Sequence, residues 1–216
     1  MLVRGDGSFL GTVGGGRVEK ESVEAALAAL EDETPRTLDY VLTAENGFAC
    51  GGSMTVFIDP QGRRPLLVMF GAGHVGRAVT ALAHGCGFRV VVVDERPGCA
   101  TEMLLPGADQ IIRASVPEAF DSLRLGPNSH VIIATPGHLS DFDAVRGCLA
   151  TEAGFIGLLG SRRKRETLLK TLENEGYDAT RLARIVTPVG LDIGAQTPEE
   201  IAVSIVGQLI AIRSGK

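Results

Sequence analysis

The feature that most constrains the fold is a glycine-rich turn between a predicted strand and a predicted helix. The apolar run Leu66–Phe70 leads into GAGHVG at residues 71–76, and a helical pattern follows. This is the G-x-G-x-x-G spacing in the strand–turn–helix context that gives it meaning. Gly71 would permit a tight turn, Gly73 would let backbone N–H groups approach a phosphate, and Gly76 would let the helix pack against the strand. The turn therefore predicts an anion site at the positive end of a helix dipole.

Two further residues belong to this predicted nucleotide site. Asp94 ends the next predicted strand, at the distance from the glycines where dinucleotide-binding chains place an acid for the ribose hydroxyls. Arg96 stands beside Asp94, so the sequence does not separate NAD from NADP as the ligand. His74 lies inside the turn, where packing or hydrogen bonding is expected more than metal ligation. The alternative is a retained turn that binds another ligand or none.

From residue 66 onward, short apolar runs alternate with helical patterns. The predicted strands are Leu66–Phe70, Arg89–Val93, Gln110–Ile112, His130–Ala134, Phe155–Leu159 and Arg184–Thr187. The predicted helices cover residues 75–84, 116–124, 140–151, 162–175 and 198–213, and Thr197 caps the last of them. This alternation predicts an α/β fold with a Rossmann-like parallel sheet covered on both faces. We expect that domain over residues 65–216.

A smaller α+β domain is expected over residues 1–62, ahead of the linker-like segment Asp59–Pro65. Its predicted elements are a hairpin (Leu2–Arg4 and Ser8–Val13), a helix (Val18–Leu30) and two strands (Thr37–Thr43 and Ser53–Asp59). Three consecutive glycines, Gly14, Gly15 and Gly16, separate the hairpin from the helix. Their N–H groups could line an anion cradle, or the turn could simply require positive φ. The sequence leaves both open.

Composition excludes several classes of protein. The net charge of −5, the 5% aromatic content and the absence of Trp argue against nucleic-acid binding. No run of 18 apolar residues predicts a membrane span, and the N-terminus lacks the apolar stretch of a signal peptide, so a cytoplasmic location is expected. The four cysteines are widely spaced without a C-x-x-C pair, which predicts neither a zinc ribbon nor a disulfide scaffold.

Three more groups of residues follow predicted strands. Ser161, Arg162 and Arg163 open a helix; four successive cations at that helix start oppose its dipole, so a bound phosphate or a solvated surface must offset them. His138 and Asp141 form either a proton-transfer pair or a helix start in which Asp141 is a cap. Asp192 lies between Gly190 and Gly194, in a backbone-lined site or in the entry loop of the last helix.

Glycine is unusually concentrated in these loops. Half of the 28 glycines lie in six loops at or near predicted strand ends. These are positions 11, 14, 15 and 16; 51 and 52; 71, 73 and 76; 137; 157 and 160; and 190 and 194. Glycine lets backbone approach a phosphate-bearing ligand closely. The distribution therefore predicts one composite site built from these loops.

Four segments together carry a resemblance to a known family. They are GTVGGGRVE (11–19), CGG (50–52), GLLGSRRK (157–164) and PVGLDIGAQTPEEIA (188–202). With the Rossmann turn, they resemble the XdhC/CoxI family, the accessory proteins of xanthine dehydrogenase and related molybdenum hydroxylases. The resemblance covers nearly the whole chain. Because members usually begin with an additional segment, it also implies a short or truncated N-terminal domain.

The resemblance implies a maturation factor rather than an enzyme. Such a factor holds the molybdenum cofactor, as molybdopterin or its cytosine dinucleotide, helps a cysteine desulfurase exchange an oxo for a sulfido ligand, and delivers it to the hydroxylase. The resemblance also points to Cys50, in the loop with Gly51 and Gly52, as the thiol that contacts molybdenum or carries sulfur. The alternative is that Cys50 is an inert turn residue. A related histidine–aspartate pattern supports His138 and Asp141.

Two other functions stay open at this point. An NAD(P)-dependent oxidoreductase would use the turn at residues 71–76 and Asp94, although no substrate domain or Tyr–Lys proton donor accompanies them. A Rossmann domain that senses a nucleotide is the other. A homodimer would cover the sheet edges that short hairpins leave open.

Overall fold

The structure is a computed structural model that describes residues 1–32, 34–42, 51–61 and 64–215. The chain divides into two compact units, Met1–Arg63 and Arg64–Lys216. Among the described residues, no helix combines the length and the apolar character needed to cross a bilayer.

The N-terminal unit has two small antiparallel sheets and one long helix. Its elements are β1 (Leu2–Val3), β2 (Phe9–Leu10), α1 (Gly16–Asp32), β3 (Arg36–Val41) and β4 (Ser53–Ile58). β1 pairs with β2, and β3 pairs with β4 so that Tyr40 lies opposite Met54. The buried side chains Val18, Ala26 and Ala29 of α1 and Tyr40 of β3 form the centre of the unit. β4 alternates exposed and partly buried residues, as expected for a strand with one covered face.

The C-terminal unit alternates strands and helices along its whole length. Its elements are β5 (Leu66–Phe70), α2 (His74–Gly85), β6 (Arg89–Val93), β7 (Gln110–Ile112), α3 (Val116–Ser122), β8 (Ser129–Ile133), α4 (His138–Leu149), β9 (Phe155–Leu158), α5 (Arg162–Asn174), α6 (Ala179–Leu182), β10 (Ile185–Val186) and α7 (Pro198–Arg213). The six strands are parallel and run in the order β10-β9-β8-β5-β6-β7. The α/β fold with a Rossmann-like sheet is confirmed.

Helices cover both faces of this sheet because successive strand residues point to opposite sides. In β5, Val68 and Phe70 join a core formed with α3, α4 and α5, whereas Leu67 and Met69 join a core formed with α2 and α7. All four of these side chains are fully buried. The predicted strands of this unit agree with the observed ones to within a residue at each end, and only the short α6 has no counterpart among the predicted helices.

The topological switch point, where the connections between successive strands change direction along the sheet, lies between β5 and β8. In open parallel sheets, ligands bind outside the carboxyl ends of the strands at such a point. The loops after β5, β6, β8 and β9 all leave this edge, and they contain most of the site residues predicted for this unit.

Candidate ligand-binding site at the carboxyl edge of the sheet

The turn after β5 uses its three glycines for different physical reasons. Gly71 has φ +107°, and a Cβ there would lie 2.2 Å from the carbonyl oxygen of Ala134. A Cβ on Gly76 would lie 1.9 Å from the carbonyl oxygen of Gly71. At Gly73 a Cβ would meet open space, so this backbone is accessible to a ligand. His74 is exposed as the first residue of α2 beside it.

Asp94 is fully occupied by protein donors. Its Oδ2 accepts from the Ala72 N–H at 2.7 Å and from Arg96 Nη2 at 2.6 Å. Its Oδ1 accepts from the Arg96 N–H at 3.0 Å and from Arg96 Nε at 2.9 Å. Burial alone would raise the pKa of Asp94, but these hydrogen bonds outweigh it and the pKa is lowered.

A carboxylate offers about four lone-pair positions, and here all four have donors. Asp94 therefore holds the glycine turn and orients Arg96, and in this conformation it has no acceptor left for a ribose hydroxyl. This differs from the ribose contact that the sequence suggests for an NAD-binding site.

Two clefts open at the carboxyl edge on either side of the first turn of α4. The first, the switch-point cleft, lies between the ends of β5, β6 and β8. Its lining includes Val93, Ala114, Val116 and Pro136 as apolar residues and Arg96 and Ser140 as polar ones. The second, the α4–α5 cleft, is lined by His138, Phe142, Ser161, Arg163, Lys164 and Thr167. His138 and the pair Ser161 and Arg163, predicted from two separate segments, thus meet in one cleft.

The α4–α5 cleft has a positive lining. Ser161 is the N-cap of α5, and its Oγ accepts from the Lys164 N–H at 3.3 Å. The first turn of α5 contains no acidic residue, and the exposed Arg162 and Arg163 follow the cap directly. Cations at a helix N-terminus are unfavourable with the dipole unless an anion is present. The arrangement is therefore suited to a phosphate.

A buried ion pair lies beside this cleft. Lys164 Nζ donates to Asp141 Oδ2 and, at 3.1 Å, to the carbonyl oxygen of Leu159. Asp141 Oδ1 accepts from the Thr135 N–H at 3.2 Å and from Thr135 Oγ1 at 2.7 Å. The Asp141 side chain is only 1% exposed. Within the described part of the chain, no hydrogen bond joins His138 to Asp141, so the proton-transfer pair considered from the sequence is not formed here.

The sequence does not single out Lys164 or Thr135, although both contact Asp141. Lys164 lies among four successive cations, and no spacing rule distinguishes it from its neighbours. Their contacts with Asp141 can be recognised only once the strand order is known. β8 and β9 are adjacent and parallel, so the loops that follow them meet at one edge of the sheet.

The remaining predicted residues lie elsewhere. Asp192 is exposed in the loop between Gly190 and Gly194. Gly190 has φ +108°, and a Cβ there would lie 2.3 Å from Ser204 Oγ of α7. Packing of this loop against α7 explains Gly190 without a ligand, which matches the entry-loop alternative for the segment.

In the N-terminal unit, Gly14, Gly15 and Gly16 have φ values of 117°, 74° and 61°. A Cβ on any of the three would meet open space, so positive φ explains these glycines. The Gly14 N–H donates to Thr12 Oγ1 at 3.1 Å. Gly51 and Gly52 also have positive φ, and the Gly52 carbonyl accepts from the Leu42 N–H at 2.7 Å. These values do not require an anion, and they do not conflict with one.

Cys50 lies outside the described residues, so its predicted role as a thiol ligand rests on the sequence. Of the cysteines that the structure describes, Cys148 is buried, and burial raises its pKa to about 12. Cys86 and Cys99 are half-buried and not in a disulfide. No cluster of three His, Cys, Asp or Glu residues suited to a metal ion occurs in the ranges that the structure covers.

The fold and its clefts at the carboxyl edge define a Rossmann-type α/β protein with a smaller N-terminal unit. The model of the XdhC Rossmann domain matches residues 67–209, and the model of the XdhC and CoxI family matches residues 1–41. The chain therefore belongs to the XdhC and CoxI family, which confirms the resemblance drawn from the sequence.

The chain is also similar to two curated relatives and to one solved structure. It is 39% identical to the uncharacterized protein YqeB of Escherichia coli over 220 residues, which cover 99% of this chain and 40% of that protein. It is 34% identical to a probable xanthine dehydrogenase subunit of Bacillus subtilis over 158 residues, which cover 73% of this chain and 46% of that protein. The chain thus spans less than half the length of these relatives.

The solved structure has the same fold. A crystal structure described as a xanthine dehydrogenase from Bacillus halodurans superposes with a TM-score of 0.63 and 24% identity, covering 99% of this chain and 86% of that one.

Proposed function

We propose that this protein binds the molybdenum cofactor and acts as a maturation factor for a molybdenum hydroxylase of the xanthine dehydrogenase type. The observation that carries the proposal is the α4–α5 cleft, where Ser161 and Arg163 at the start of α5 face His138 at the start of α4. The cofactor's organic part carries a phosphate, and phosphates bind where helix N-termini and arginine side chains converge.

The residues that line the α4–α5 cleft suit the phosphate and the pterin of the molybdenum cofactor chemically. Arg163 is exposed and takes part in no ion pair among the described residues, so its charge is available to a phosphate. The charge of Lys164, by contrast, is already neutralised by Asp141, which makes Lys164 a support for the cleft rather than its main cation. Phe142 adds an apolar surface against which a flat pterin ring would pack.

In this proposal, the protein binds, orients and shields its ligand. Arg163, Ser161 and the first-turn amides of α5 hold the phosphate, and the backbone at Gly73 provides a second region of close approach. The bound cofactor would supply the redox chemistry of the hydroxylase only after delivery. The chain itself supplies protection from water and a defined presentation to its partner.

One relative supports the choice of partner. It is named as a probable xanthine dehydrogenase subunit, and it shares 34% identity with this chain. We accordingly propose a xanthine dehydrogenase-like hydroxylase as the recipient.

Sulfuration would involve Cys50 and a cysteine desulfurase, a role proposed from the sequence segment CGG at residues 50–52. If Cys50 carries sulfur, Cys50→Ala should still bind cofactor but deliver it without the sulfido ligand; delivery of fully sulfurated cofactor by this variant would contradict the role.

Binding and delivery test the proposal directly. We expect an anaerobic titration with molybdopterin to give a saturable complex and to raise the melting temperature. Arg163→Ala should weaken this affinity by roughly 10- to 100-fold, the value of a charge-assisted hydrogen bond. The matched control is Arg165→Ala, which removes an exposed arginine of the same helix that does not line the cleft. Equal loss of affinity in both variants would contradict a site in the α4–α5 cleft.

The oxidoreductase alternative makes the opposite prediction. It requires NAD(H) or NADP(H) to bind, and the saturated Asp94 carboxylate removes the ribose acceptor that such a site uses. We expect little stabilisation by either dinucleotide. Stabilisation by NAD(H) or NADP(H) without any by molybdopterin would overturn the proposed function in favour of a nucleotide-dependent enzyme or sensor.

A further inference from the structure

We infer that Asp141 limits how tightly the α4–α5 cleft holds an anion, because it keeps the ammonium group of Lys164 away from the ligand. Asp141 acts through Lys164, so it is a positioning residue and does not itself contact the ligand. This inference rests on the proposed function and concerns the regulation of the same site. It gives a role to a buried carboxylate that lies directly beside a proposed anion site.

Lys164 lines the cleft, but its ammonium group is bound by the protein. Nζ donates to Asp141 Oδ2 and, at 3.1 Å, to the carbonyl oxygen of Leu159. Only 16% of the Lys164 side chain is exposed. Its stem passes over Gly160, where a Cβ would lie 2.6 Å from Lys164 Cδ. Glycine at this position therefore leaves room for the Lys164 stem on its way to Asp141.

The surroundings of Asp141 oppose the transfer of Lys164 to a bound anion. The Asp141 side chain is 1% exposed, and its Oδ1 accepts from the N–H and the Oγ1 of Thr135. Among the described residues, Lys164 is the donor to Oδ2. Moving the ammonium group to a ligand would leave this buried oxygen unpaired, and breaking a buried ion pair in this way is strongly unfavourable. We therefore expect Lys164 to stay with Asp141 when the ligand is bound.

The cleft consequently offers its ligand less positive charge than its sequence contains. Of the lysine and the arginine that line it, Lys164 is paired with Asp141, whereas Arg163 has no ion pair among the described residues. Each charge-assisted hydrogen bond to a phosphate adds to its affinity, so withholding one cation lowers the affinity. A factor that delivers its ligand must also release it, and a limited affinity suits that task.

The test replaces Asp141 by its neutral isostere in the full chain. In Asp141→Asn, the amide oxygen still accepts from Thr135, but the amide NH₂ group faces Lys164, so that two donors oppose each other. The ammonium group is then free to reach the ligand from the first turn of α5. We expect inorganic pyrophosphate and molybdopterin to bind roughly tenfold more tightly than to the wild type, the contribution of one charge-assisted hydrogen bond. Calorimetric titration at fixed ionic strength measures the affinities.

Two further variants show whether Lys164 causes the gain. Asp143→Asn is the matched control, because Asp143 lies on the same helix, pairs with Arg146 at 3.0 Å and is not part of the cleft lining. It removes the same charge from α4 and should change the affinity by less than about twofold, since exposed charges are screened. Lys164→Met added to Asp141→Asn should abolish the gain. A gain that persists in this double variant, or an equal gain in Asp143→Asn, would overturn the role of Asp141.

A structure of the wild type decides the question even where Asp141→Asn does not fold. In crystals of the full chain grown with saturating pyrophosphate, Lys164 Nζ should remain within hydrogen-bond distance of Asp141 Oδ2, about 3 Å. An Nζ that has left Asp141 for the pyrophosphate would overturn the inference.

The outcomes separate this inference from the proposed function. Where the wild type binds both probes and a folded Asp141→Asn binds them no more tightly, the inference fails and the cofactor site stands. Where the wild type binds pyrophosphate but not molybdopterin, the proposed function fails, and the pyrophosphate affinities still decide the role of Asp141. A wild type that binds neither probe overturns both.

Discussion

At the scale of single residues, the turn after β5 contains two glycines that the fold requires and one that it does not. Gly71 and Gly76 each lie where a Cβ would collide with a backbone carbonyl oxygen, at 2.2 and 1.9 Å. Gly73 has φ −73° and ψ −170°, which any residue can adopt, and open space at the Cβ position. The contacts of the described residues therefore do not require glycine at this place, whereas close approach of the proposed ligand would.

These differences predict opposite effects for the same substitution. Gly76→Ala should lower the free energy of unfolding by about 3 kcal/mol, since a rigid carbonyl must move. Gly73→Ala should leave that free energy unchanged or raise it by up to about 1 kcal/mol, because the unfolded chain loses freedom. It should nevertheless weaken ligand binding. Urea unfolding and ligand titration of both variants measure this, and a stable Gly73→Ala variant with wild-type affinity would contradict the role of Gly73.

His130 couples stability to pH. It is 7% exposed at the start of β8, its ring meets Phe88 edge-on at 5.7 Å, and its Nδ1 is buried without a hydrogen-bond partner among the described atoms. Burial lowers its pKa, with a smaller contribution from Arg213. In the unfolded chain the value is about 6.5. As pH falls below that value, the unfolded chain therefore takes up a proton first, and stability is lost.

The expected loss is up to about 1.4 kcal/mol per pH unit below pH 6.5, until the folded-state pKa is reached. His130→Phe keeps an aromatic ring between Phe88 and Phe155 and removes the titration. We expect its unfolding free energy to fall less than that of the wild type between about pH 7.5 and 5.5. Parallel pH profiles for the two proteins would show that His130 does not cause the loss.

At the scale of elements, α5 illustrates a conflict between stability and binding. Arg162, Arg163 and Lys164 occupy its first turn, where the dipole favours acids. Lys164 is offset by Asp141, whereas Arg163 has no such partner among the described residues, so the imbalance expected from the sequence persists at Arg163. A helix selected for stability alone would begin differently, as α7 does with Thr197, Glu199 and Glu200.

Reversing one charge should separate the two requirements. Arg163→Glu should raise the unfolding free energy by about 0.3–1 kcal/mol while abolishing ligand binding. Arg165→Glu, further along the helix and outside the cleft lining, should retain binding. The measurement pairs thermal unfolding without ligand and titration with inorganic pyrophosphate as the probe. Destabilisation by Arg163→Glu would mean that Arg163 has a structural partner that outweighs the dipole.

Most elements were predictable because their patterns are local. Short apolar runs bounded by glycine marked the six parallel strands, and helical spacing marked the long helices between them. The four-residue α6 has no apolar period long enough to detect. Gly157 shows that sequence patterns also miss contacts between distant residues. It lies inside β9, where a Cβ would lie 2.5 Å from Val189 Cγ2. Its reason is packing between strand and loop, and not the ligand that the glycine distribution suggested.

The site was predictable only in part for the same reason. His138, Ser161 and Arg163 each follow a strand, so their common edge could be expected from the parallel topology. The pairing of Asp141 with Lys164 depends on β8 and β9 being neighbours, and it joins side chains 23 positions apart. The saturation of Asp94 depends on the position of Arg96 two residues later, whose guanidinium folds back onto the carboxylate. The spacing of these residues along the sequence reveals neither the Asp141–Lys164 contact nor the saturation of Asp94.

At the scale of the whole molecule, the two clefts and both apolar cores belong to one unit. Every residue of the two core clusters lies between Leu66 and Ile210, within the unit Arg64–Lys216. The α4–α5 and switch-point clefts are also lined only by residues of this unit. The phosphate-binding part of the proposed function therefore needs no residue before Arg64, whereas the proposed sulfur chemistry of Cys50 does.

A fragment tests this division of roles. Residues 64–216 alone should fold cooperatively, because a unit of about 150 residues buries enough surface for independent stability. Their thermal transition should resemble that of the intact chain in cooperativity, and they should bind inorganic pyrophosphate with an affinity within about threefold of it, less than 1 kcal/mol. Sulfuration of bound cofactor should be lost. A folded fragment without pyrophosphate binding would assign the anion site to the N-terminal unit, where the glycine loop Gly14–Gly16 offers a second run of backbone amides.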